Sequence, residues 1–388
     1  MNNRFICSII TFMLILFPRY SYGRGEVDRP LIWNMNNLEA VKTDASFANT
    51  RKQILSTADN YCTKKPVVVT DKTKSFCDDK HYYCSISIYY WPDPSNPGKY
   101  VRRDGYRNPE AQEFDLERLT ELTKRCKFLS VAYYLTGDNK YREAYIKQLY
   151  AWFVDPKTYM YPNFRYGQLI PGQNGNKGNG SCLIEAYDFN HVIESIRLVS
   201  SVAPISPDLV SAIQDWFLVF IQNMEQDYGN AIRDTKNNVG LAYDVTLIDF
   251  YLFSGKKTRA RQLSKLFTGK WLNQHITDDG RQPMELRRAS GFSYSVYNLT
   301  HIIDFCFLSN YRTAGYYGAN HEKIDKAFDF LDKYVKNPGS FPYSQVSDWD
   351  DAIQKYVLQK NRFNRLRNPS GPVARNQRRI VPINDILQ

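Results

Sequence analysis

Residues 115–135 read DLERLTELTKRCKFLSVAYYL, and this stretch decides the fold class. Its apolar residues recur at intervals of three and four, which places them on one face of an α-helix. They are Leu116, Leu119, Leu122, Cys126 and Leu129. Gly137 is expected to end this helix, and NKYREAYIKQLYAWF at 139–153 begins a second one. The stretch therefore predicts a helical hairpin.

The same hairpin recurs later in the chain. YYLTGDNKYREA at 133–144 is echoed by FYLFSGKKTRAR at 250–261, each with an apolar end, a glycine turn and a basic second helix. Further helices are predicted at 181–203, 206–226, 239–253, 257–270, 292–310, 321–335 and 349–360. Ser206 is the predicted N-cap of one of them, with Pro207 at its first position. Repeated pairs without a strand series predict an all-α fold, an (α/α) toroid or incomplete barrel of antiparallel helix hairpins.

The ends of the chain differ from this helical body. Residues 1–23 carry Arg4, an apolar stretch too short to cross a bilayer, and small residues at the spacing of a cleavage site, which is typical of a secretory signal peptide. Residues 24–360 are predicted to form one domain, and the arginine-rich residues 361–388 a solvated basic extension. We therefore expect a secreted or periplasmic protein that is not anchored in a membrane.

Charge and cysteine content suggest the kind of partner and the compartment. The formal net charge is +11, or about +9 without the predicted signal peptide, which suits a polyanionic partner but is also ordinary for solubility. In an oxidising compartment Cys62, Cys77 and Cys84 are expected to supply one disulfide. The other mature cysteines are expected to be buried thiols; they are Cys126, Cys182 and Cys306.

Three segments interrupt the helical pattern, at 85–110, 154–180 and 272–291. The first, SISIYYWPDPSNPGKYVRRDGYRNPE, is too long and too aromatic for a simple connector, and we interpret it as a lid over a ligand. The other two are also rich in Pro, Gly, Asn, Tyr or Arg. We expect the functional site to lie where these segments meet the concave face of the helices.

The residue inventory excludes several classes of site. The five histidines have no metal-ligand spacing, GQNGNKGNG lacks the ending of a phosphate-binding loop, and no GxSxG occurs. We therefore expect no metal and no cofactor, a monomer, and no nucleic-acid partner. The interrupting segments instead combine Tyr, Arg, Asn and Gln, which can neutralise a carboxylate, move a proton and stack on sugars.

Several blocks resemble, in the same order, the signatures of the alginate lyase superfamily, especially polysaccharide lyase families 5 and 38. They are YYWPDPSNP with VRRDGYRNPE, AWFVDPKTYMYPNFRYGQLIPGQ, NNVGLAYDV, and DGRQPMELRRASGFSYSVYNL, spread over roughly 80–350. The resemblance implies a toroid that cleaves polyuronates by β-elimination. An acidic polysaccharide is then the expected partner.

That chemistry needs a neutralised carboxylate, a base for the C5 proton and an acid for the departing O4. The resemblance implies Tyr294 as the proton-transferring residue, beside Arg288, whose charge is expected to lower the pKa of the phenol. It also implies Asn238 at the carboxylate, while Asn237 is expected to cap the following helix.

Further substrate contacts are predicted from the same blocks. The predicted set is Asn163, Tyr166, Gln168, Trp91, Tyr90, Arg102, Arg103, Asn237 and His191. Asn163, Tyr166 and Gln168 match a family block and are expected to line the cleft. Trp91 and Tyr90 either pin the lid or stack on sugar, and the two lid arginines are candidate carboxylate clamps. His191 is either a core histidine or a replacement base.

Val239 stands where the family motif has histidine, which removes one base. A syn elimination by Tyr294 alone remains possible, and this favours mannuronate blocks, with glucuronan as an alternative substrate. A glycoside hydrolase that uses two of Asp244, Asp279 and Glu285 is a second alternative. A protein that binds polyuronates without cleaving them is the third.

Overall fold

Antiparallel α-helices dominate the computed structural model, which describes residues 25–266, 271–310, 316–367 and 381–388. The helices of the first half are α1 (Met35–Thr43), α2 (Ala48–Cys62), α3 (Asp115–Thr136), α4 (Asn139–Phe153), α5 (Asp188–Val202), α6 (Pro207–Met224) and α7 (Asn230–Arg233). Those of the second half are α8 (Asn238–Phe253), α9 (Lys257–Leu266), α10 (Leu272–His275), α11 (Pro283–Leu286), α12 (Gly291–Asn310), α13 (Tyr316–Val335), α14 (Trp349–Arg367) and α15 (Ile383–Leu387). The predicted all-α toroid of antiparallel hairpins is confirmed.

Short turns of other helix types connect these elements. The 3₁₀ segments are Ala45–Phe47, Val69–Asp71, Pro109–Glu113, Asn174–Asn176, Gly180–Tyr187 and Pro338–Ser340, and Glu225–Gly229 is a π-helical turn. The predicted helix at 181–203 therefore begins as a 3₁₀ segment and becomes α-helical only at α5. Ser206 is the N-cap residue of α6 and Pro207 its first helical residue, as predicted, although the Ser206 side chain makes no capping bond.

The first hairpin shows why the local pattern decides the fold. Gly137 ends α3 with a φ of +71°, a left-handed conformation that glycine adopts without steric cost. Asp138 then caps α4 by accepting the backbone N–H of Lys140 at 3.0 Å. Helix α3 packs against both α4 and α5, so its apolar face is covered. The second predicted hairpin is formed by α8 and α9.

Helix α8 joins the two main hydrophobic clusters. Tyr243, Leu247 and Phe250 pack into the cluster formed by α3 to α6. Leu241 and Val245 pack into the cluster formed with α12, α13 and α14. A helix that is apolar on all sides must be buried, and nearly every residue of α8 is. From Leu241 onward α8 is therefore anchored in both clusters.

Two small sheets lie in the interrupting segments. Strand β1 (Cys84–Ile86) pairs in parallel with β4 (Tyr166–Leu169), and β2 (Tyr90–Pro92) pairs antiparallel with β3 (Tyr100–Arg102). The lid segment 85–110 thus contains a β-hairpin, formed by β2 and β3, which the sequence did not predict. Strands of three or four residues are too short to show an alternating pattern.

The C-terminal residues pack on the body of the protein, which corrects the predicted boundary at residue 360. Helix α14 runs on to Arg367, and Arg362 is only 1% exposed because its guanidinium pairs with Asp304. Helix α15 packs against α1, where Leu387 accepts the backbone N–H of Asn34 at 2.7 Å. Residues 361–367 and 381–388 are therefore structural parts of the domain; 368–380 lie outside the described residues.

Several other predictions concern the termini and the cysteines. The predicted signal peptide, residues 1–23, lies outside the described residues. Within the described ranges, none of the helices is long and apolar enough to span a membrane. The six described cysteines are free thiols, and Cys126, Cys182 and Cys306 are buried as expected. The predicted disulfide is not formed, and Cys77 Sγ instead lies 3.1 Å from Ser75 Oγ.

Candidate active site

A cleft of about 460 Å³ lies where the lid segment meets the turn between α11 and α12. Its lining residues are Arg102, Asp104, Asn237, Met284, Arg287 and Arg288. Three of the six are arginines and only one is acidic, so the cleft carries a net positive charge. Such a lining attracts anions, and among them carboxylates, which arginine binds through paired N–H donors.

Arg288 is held by two different parts of the chain. Its Nε donates to Asp104 Oδ2 at 2.9 Å and its Nη2 donates to Asp104 Oδ1 at 2.7 Å. The same Nη2 donates to the hydroxyl oxygen of Tyr294 at 2.8 Å, and the guanidinium carbon lies 3.8 Å from the centre of the tyrosine ring. The predicted neighbours Arg288 and Tyr294 are therefore in direct contact.

Tyr294 lies on the first turn of α12, and its hydroxyl meets a second tyrosine. The Tyr294 hydroxyl donates to the hydroxyl oxygen of Tyr89 at 2.8 Å. Tyr89 directly precedes β2, and its carbonyl accepts the N–H of Arg103 at 2.7 Å, which closes the base of the lid hairpin. The hairpin thus brings a phenol from the lid segment onto the phenol of α12.

The pKa of Tyr294 moves in the opposite direction from the prediction. Burial raises this pKa above its usual value, and the adjoining Tyr89 raises it further, both as a neighbouring group and as the acceptor of the hydroxyl proton. The Arg288 cation lowers it, as expected, but does not outweigh burial. The predicted lowering was wrong because loss of hydration penalises the phenolate more than one cation, itself paired with Asp104, stabilises it.

The two asparagines at the start of α8 have different surroundings. Asn237 caps the helix by accepting the backbone N–H of Val239 at 3.0 Å, as predicted, and it also lines the cleft. Asn238 is 3% exposed, and Glu285 accepts both its backbone N–H at 2.7 Å and its Nδ2–H at 2.6 Å. Burial raises the pKa of Glu285 to about 7. Val239 is half-buried.

The lid residues hold the hairpin together. The indole N–H of Trp91 donates to the carbonyl of Tyr106 at 2.9 Å, and the guanidinium of Arg103 lies 5.3 Å from the Trp91 ring. Tyr90 pairs with Arg102 across the two strands. Of the two predicted clamps, Arg102 lines the cleft, whereas Arg103 packs on Trp91. Trp91 thus pins the hairpin, which was one of its two predicted roles.

The predicted residues of the second segment lie around β4 rather than in the lining of the cleft. Asn163 accepts the N–H of Arg165 at 3.1 Å, and the Tyr166 ring lies edge-on to Tyr82 with centroids 5.3 Å apart. Gln168 is 8% exposed, and its backbone N–H donates to Ser85 Oγ at 2.8 Å. A substrate contact by the Gln168 side chain stays a prediction.

His191 also has a structural partner. Its Nδ1 accepts the indole N–H of Trp33 at 3.3 Å, and its ring lies edge-on to Tyr187. Burial lowers the pKa of His191 well below the usual value, and the cations of Lys127 and Arg362 lower it further. Its described contacts include neither Tyr294 nor Arg288. A neutral, weakly basic imidazole that is bound to Trp33 is typical of a core histidine rather than of a replacement base.

Several residues of the site were not predicted as part of it, among them Met284 and Arg287 of the cleft lining. Asp104 and Tyr89 lie inside blocks that the sequence analysis quoted, but their chemistry depends on partners about 200 residues away. Glu285 was considered only as a hydrolase carboxylate. Its position just before Arg287 and Arg288 was the available signal in the sequence. Among the described residues, no group of His, Cys, Asp and Glu side chains is arranged to hold a metal ion.

Comparisons with known proteins identify the family of the chain. The family model described as Alginate lyase matches residues 68–341. A crystal structure of an alginate lyase from Bacteroides ovatus is 32% identical, covers 92% of this chain and 97% of its own, and superposes with a TM-score of 0.83. The alginate lyase A1-III from Sphingomonas species A1 is 14% identical over 87% of this chain and 92% of its own, with a TM-score of 0.47. A comparison with curated proteins returns no match.

Proposed function

The chain belongs to the alginate lyase family and is a polysaccharide lyase, and from that premise we propose that it cleaves a polyuronate by β-elimination, with Tyr294 as base and acid. The observation that carries the proposal is the 2.8 Å bond from Arg288 Nη2 to the Tyr294 hydroxyl, at the edge of a cleft rich in arginine. A proton-transferring group and a carboxylate-binding cation then act on the same sugar.

The carboxylate of the bound uronate must be neutralised first. Removal of the C5 proton sends negative charge onto this carboxylate, so hydrogen-bond donors around it lower the barrier. Arg287 and Arg288 line the cleft and are suited to this role. The proposal also gives a part to the second Nδ2 hydrogen of Asn238, which is 3% exposed. Glu285 orients the Asn238 amide by accepting its other hydrogen. We assign Arg102, which also lines the cleft, to the carboxylate of a neighbouring uronate in the polysaccharide.

Tyr294 then moves one proton twice. Its phenolate takes the C5 proton, the electron pair forms the C4–C5 double bond, and the C4–O4 bond breaks. The phenol formed in this way returns its proton to the departing O4 oxygen. Tyr89 supports both forms, because its hydroxyl accepts from the neutral phenol and can turn to donate to the phenolate.

The hydrolase alternative finds little support in the carboxylates it needs. Asp244 accepts from Arg233 at 3.0 Å, Asp279 pairs with Arg281 at 2.7 Å, and Glu285 is bound to Asn238. Family membership assigns the chain to the lyases, which also decides against the non-catalytic alternative. The open choice is therefore between substrates.

Syn elimination predicts which polymers are cut. In mannuronate and glucuronate the C5 proton and O4 lie on one face of the ring, within reach of one tyrosine, whereas in guluronate they lie on opposite faces. Val239 has no polar atom to act as a second base. We expect formation of ultraviolet-absorbing unsaturated uronide from mannuronan or glucuronan and very little from guluronan. Guluronan as the best substrate would contradict the single-tyrosine mechanism, and wholly inert polyuronates would contradict the substrate class.

The raised pKa of Tyr294 predicts the pH dependence. Below that pKa the phenolate fraction increases tenfold per pH unit, so kcat/KM should rise from neutral into alkaline solution with a slope near one on logarithmic axes. The measurement is kcat/KM against pH on a short mannuronate oligomer. A profile that falls over the same range would exclude Tyr294 as the base.

We also propose that the protein works outside the cytoplasm on an acidic polysaccharide. The support comes from the predicted signal peptide at 1–23 and the positive charge of the mature chain. Mass determination of the protein recovered from its native host would show whether the first 23 residues are removed.

A further inference from the structure

We propose that Asp104 is a positioning residue for the elimination: from the end of the lid hairpin it orients Arg288 toward Tyr294 and so makes the active site depend on a seated lid. The inference rests on the proposed function of Tyr294 and extends it to a residue that acts on the phenol through Arg288. Its support is the set of contacts around one carboxylate.

The Asp104 carboxylate is almost fully occupied. It accepts from Arg288 through both oxygens, and from the backbone N–H of Ala289 at 3.2 Å and Arg102 Nη2 at 3.1 Å. The bond from Arg288 holds the pKa of the Asp104 carboxyl well below its usual range, so the group is ionised at any working pH. A planar guanidinium gripped through two N–H groups has one orientation rather than many.

That orientation decides what the rest of the guanidinium can do. Nη2 divides its two hydrogens between Asp104 and the Tyr294 hydroxyl. Among the described residues, no group accepts from Nη1 of Arg288, which leaves this nitrogen for a ligand. Asp104 therefore aims one edge of Arg288 at the proton-transferring oxygen and keeps another available for a uronate carboxylate.

The backbone beside Asp104 shows that the hairpin is seated tightly. Gly105 has a φ of +82°, and a Cβ at this position would lie 2.6 Å from Val346 Cγ2 and 3.1 Å from Ala289 Cβ. Val346 in turn donates its N–H to the carbonyl of Ala289 at 3.0 Å. The lid can approach the turn before α12 closely only because residue 105 lacks a side chain. The ion pair of Asp104 with Arg288 and the contact of Tyr89 with Tyr294 then form together.

The charge of Asp104 also reaches the phenol. The groups that act on the pKa of Tyr294 are Tyr89, Arg288 and Asp104, and of these only Arg288 lowers it. Asp104 raises this pKa directly and offsets part of the charge of Arg288. Removing the negative charge should therefore lower the pKa of Tyr294, an effect that a purely structural residue would not have.

The test compares Asp104→Asn, Asp104→Glu and the control Asp93→Asn. Asp93 lies in the same hairpin, where its Oδ1 accepts only the N–H of Ser95 at 2.9 Å, a bond that asparagine can keep. For each variant, kcat and KM are measured against pH on a short mannuronate or glucuronate oligomer, together with the melting temperature.

We expect Asp104→Asn to lower kcat and kcat/KM together by about tenfold or more, since an interaction needed in the transition state is weakened. Its ascending pH limb should level off at a lower pH than that of the wild type, which distinguishes a lower pKa of Tyr294 from a fall in rate at all pH values. Asp104→Glu keeps the negative charge, but its longer side chain moves the carboxylate away from the position that orients Arg288. The kcat should therefore fall, while the ascending limb of the pH profile stays at the pH of the wild type. Asp93→Asn should match the wild type.

Two results would overturn the inference: an unmoved pH limb in Asp104→Asn, or wild-type kcat in Asp104→Glu. If Asp104→Asn does not fold, the Asp104→Glu result alone decides. An inactive Tyr294→Phe beside a normal Asp104 series would refute only the role of Asp104. An active Tyr294→Phe would refute the proposed mechanism itself.

Discussion

Tyr294→Phe is expected to abolish turnover on every polyuronate that the wild-type protein cleaves. The substitution removes one oxygen, which both takes the C5 proton and returns it to O4 in the proposed mechanism. The ring stays in place, and Arg288 can still pack against it, since the guanidinium carbon lies 3.8 Å from the ring centre. The binding of substrate should therefore change by only a few fold, because the carboxylate contacts remain.

The measurement is the initial rate of unsaturated uronide formation, together with the affinity for an oligomer determined by calorimetry. Tyr141→Phe is the matched control. Tyr141 lies on α4, outside the cleft, and the substitution also removes a phenolic hydrogen bond, the one that Tyr141 donates to Asp59 at 2.8 Å. That control should lose some stability and keep its activity. Residual activity of Tyr294→Phe above about a tenth of the wild type would remove Tyr294 from the role of base and acid.

Asn238→Ala is expected to cause the second-largest loss. A missing donor at the carboxylate leaves the enolate less stabilised by about 2–4 kcal/mol, the usual cost of one lost oxyanion donor. The substitution also leaves Glu285 without the Nδ2–H that it accepts at 2.6 Å, so the start of α8 should become less stable. If Asn238 is a catalytic donor, kcat should fall by much more than the loss of stability, measured as the melting temperature, can explain.

Asn237→Ala is the natural comparison, because it removes the neighbouring amide. Its side chain accepts the N–H of Val239, so the loss should be mainly stability, about 0.5–2 kcal/mol for a helix cap. Asn237 also lines the cleft, so both amides lie near the proposed substrate and only the size of the loss in kcat distinguishes their roles. If Asn237→Ala were the catalytically damaged variant and Asn238→Ala only a destabilised one, the amide at the carboxylate would be that of Asn237.

Much of the site could be anticipated from the sequence, and the reasons are local. The pairing of Tyr294 with Arg288 was predicted from the resemblance to the lyase family, in which both residues fall in one sequence block, six positions apart. The cap at Asn237 follows from its place before an apolar run. One prediction failed for a reason that is not local: the pKa of Tyr294 rises because burial outweighs the charge of Arg288.

The sequence by itself determined the helices, because a period of three to four apolar residues and a glycine turn act over a few residues of chain. Only the tertiary structure decided what those helices hold. Asp104 reaches Arg288 across 184 positions, and Tyr89 reaches Tyr294 across 205. The tertiary structure also pairs Arg362 with Asp304, in a C-terminal tail that the sequence predicted to be solvated. Hydrogen bonds, ion pairs and the pKa values they set depend on distance and burial in space, which no local pattern of residues encodes.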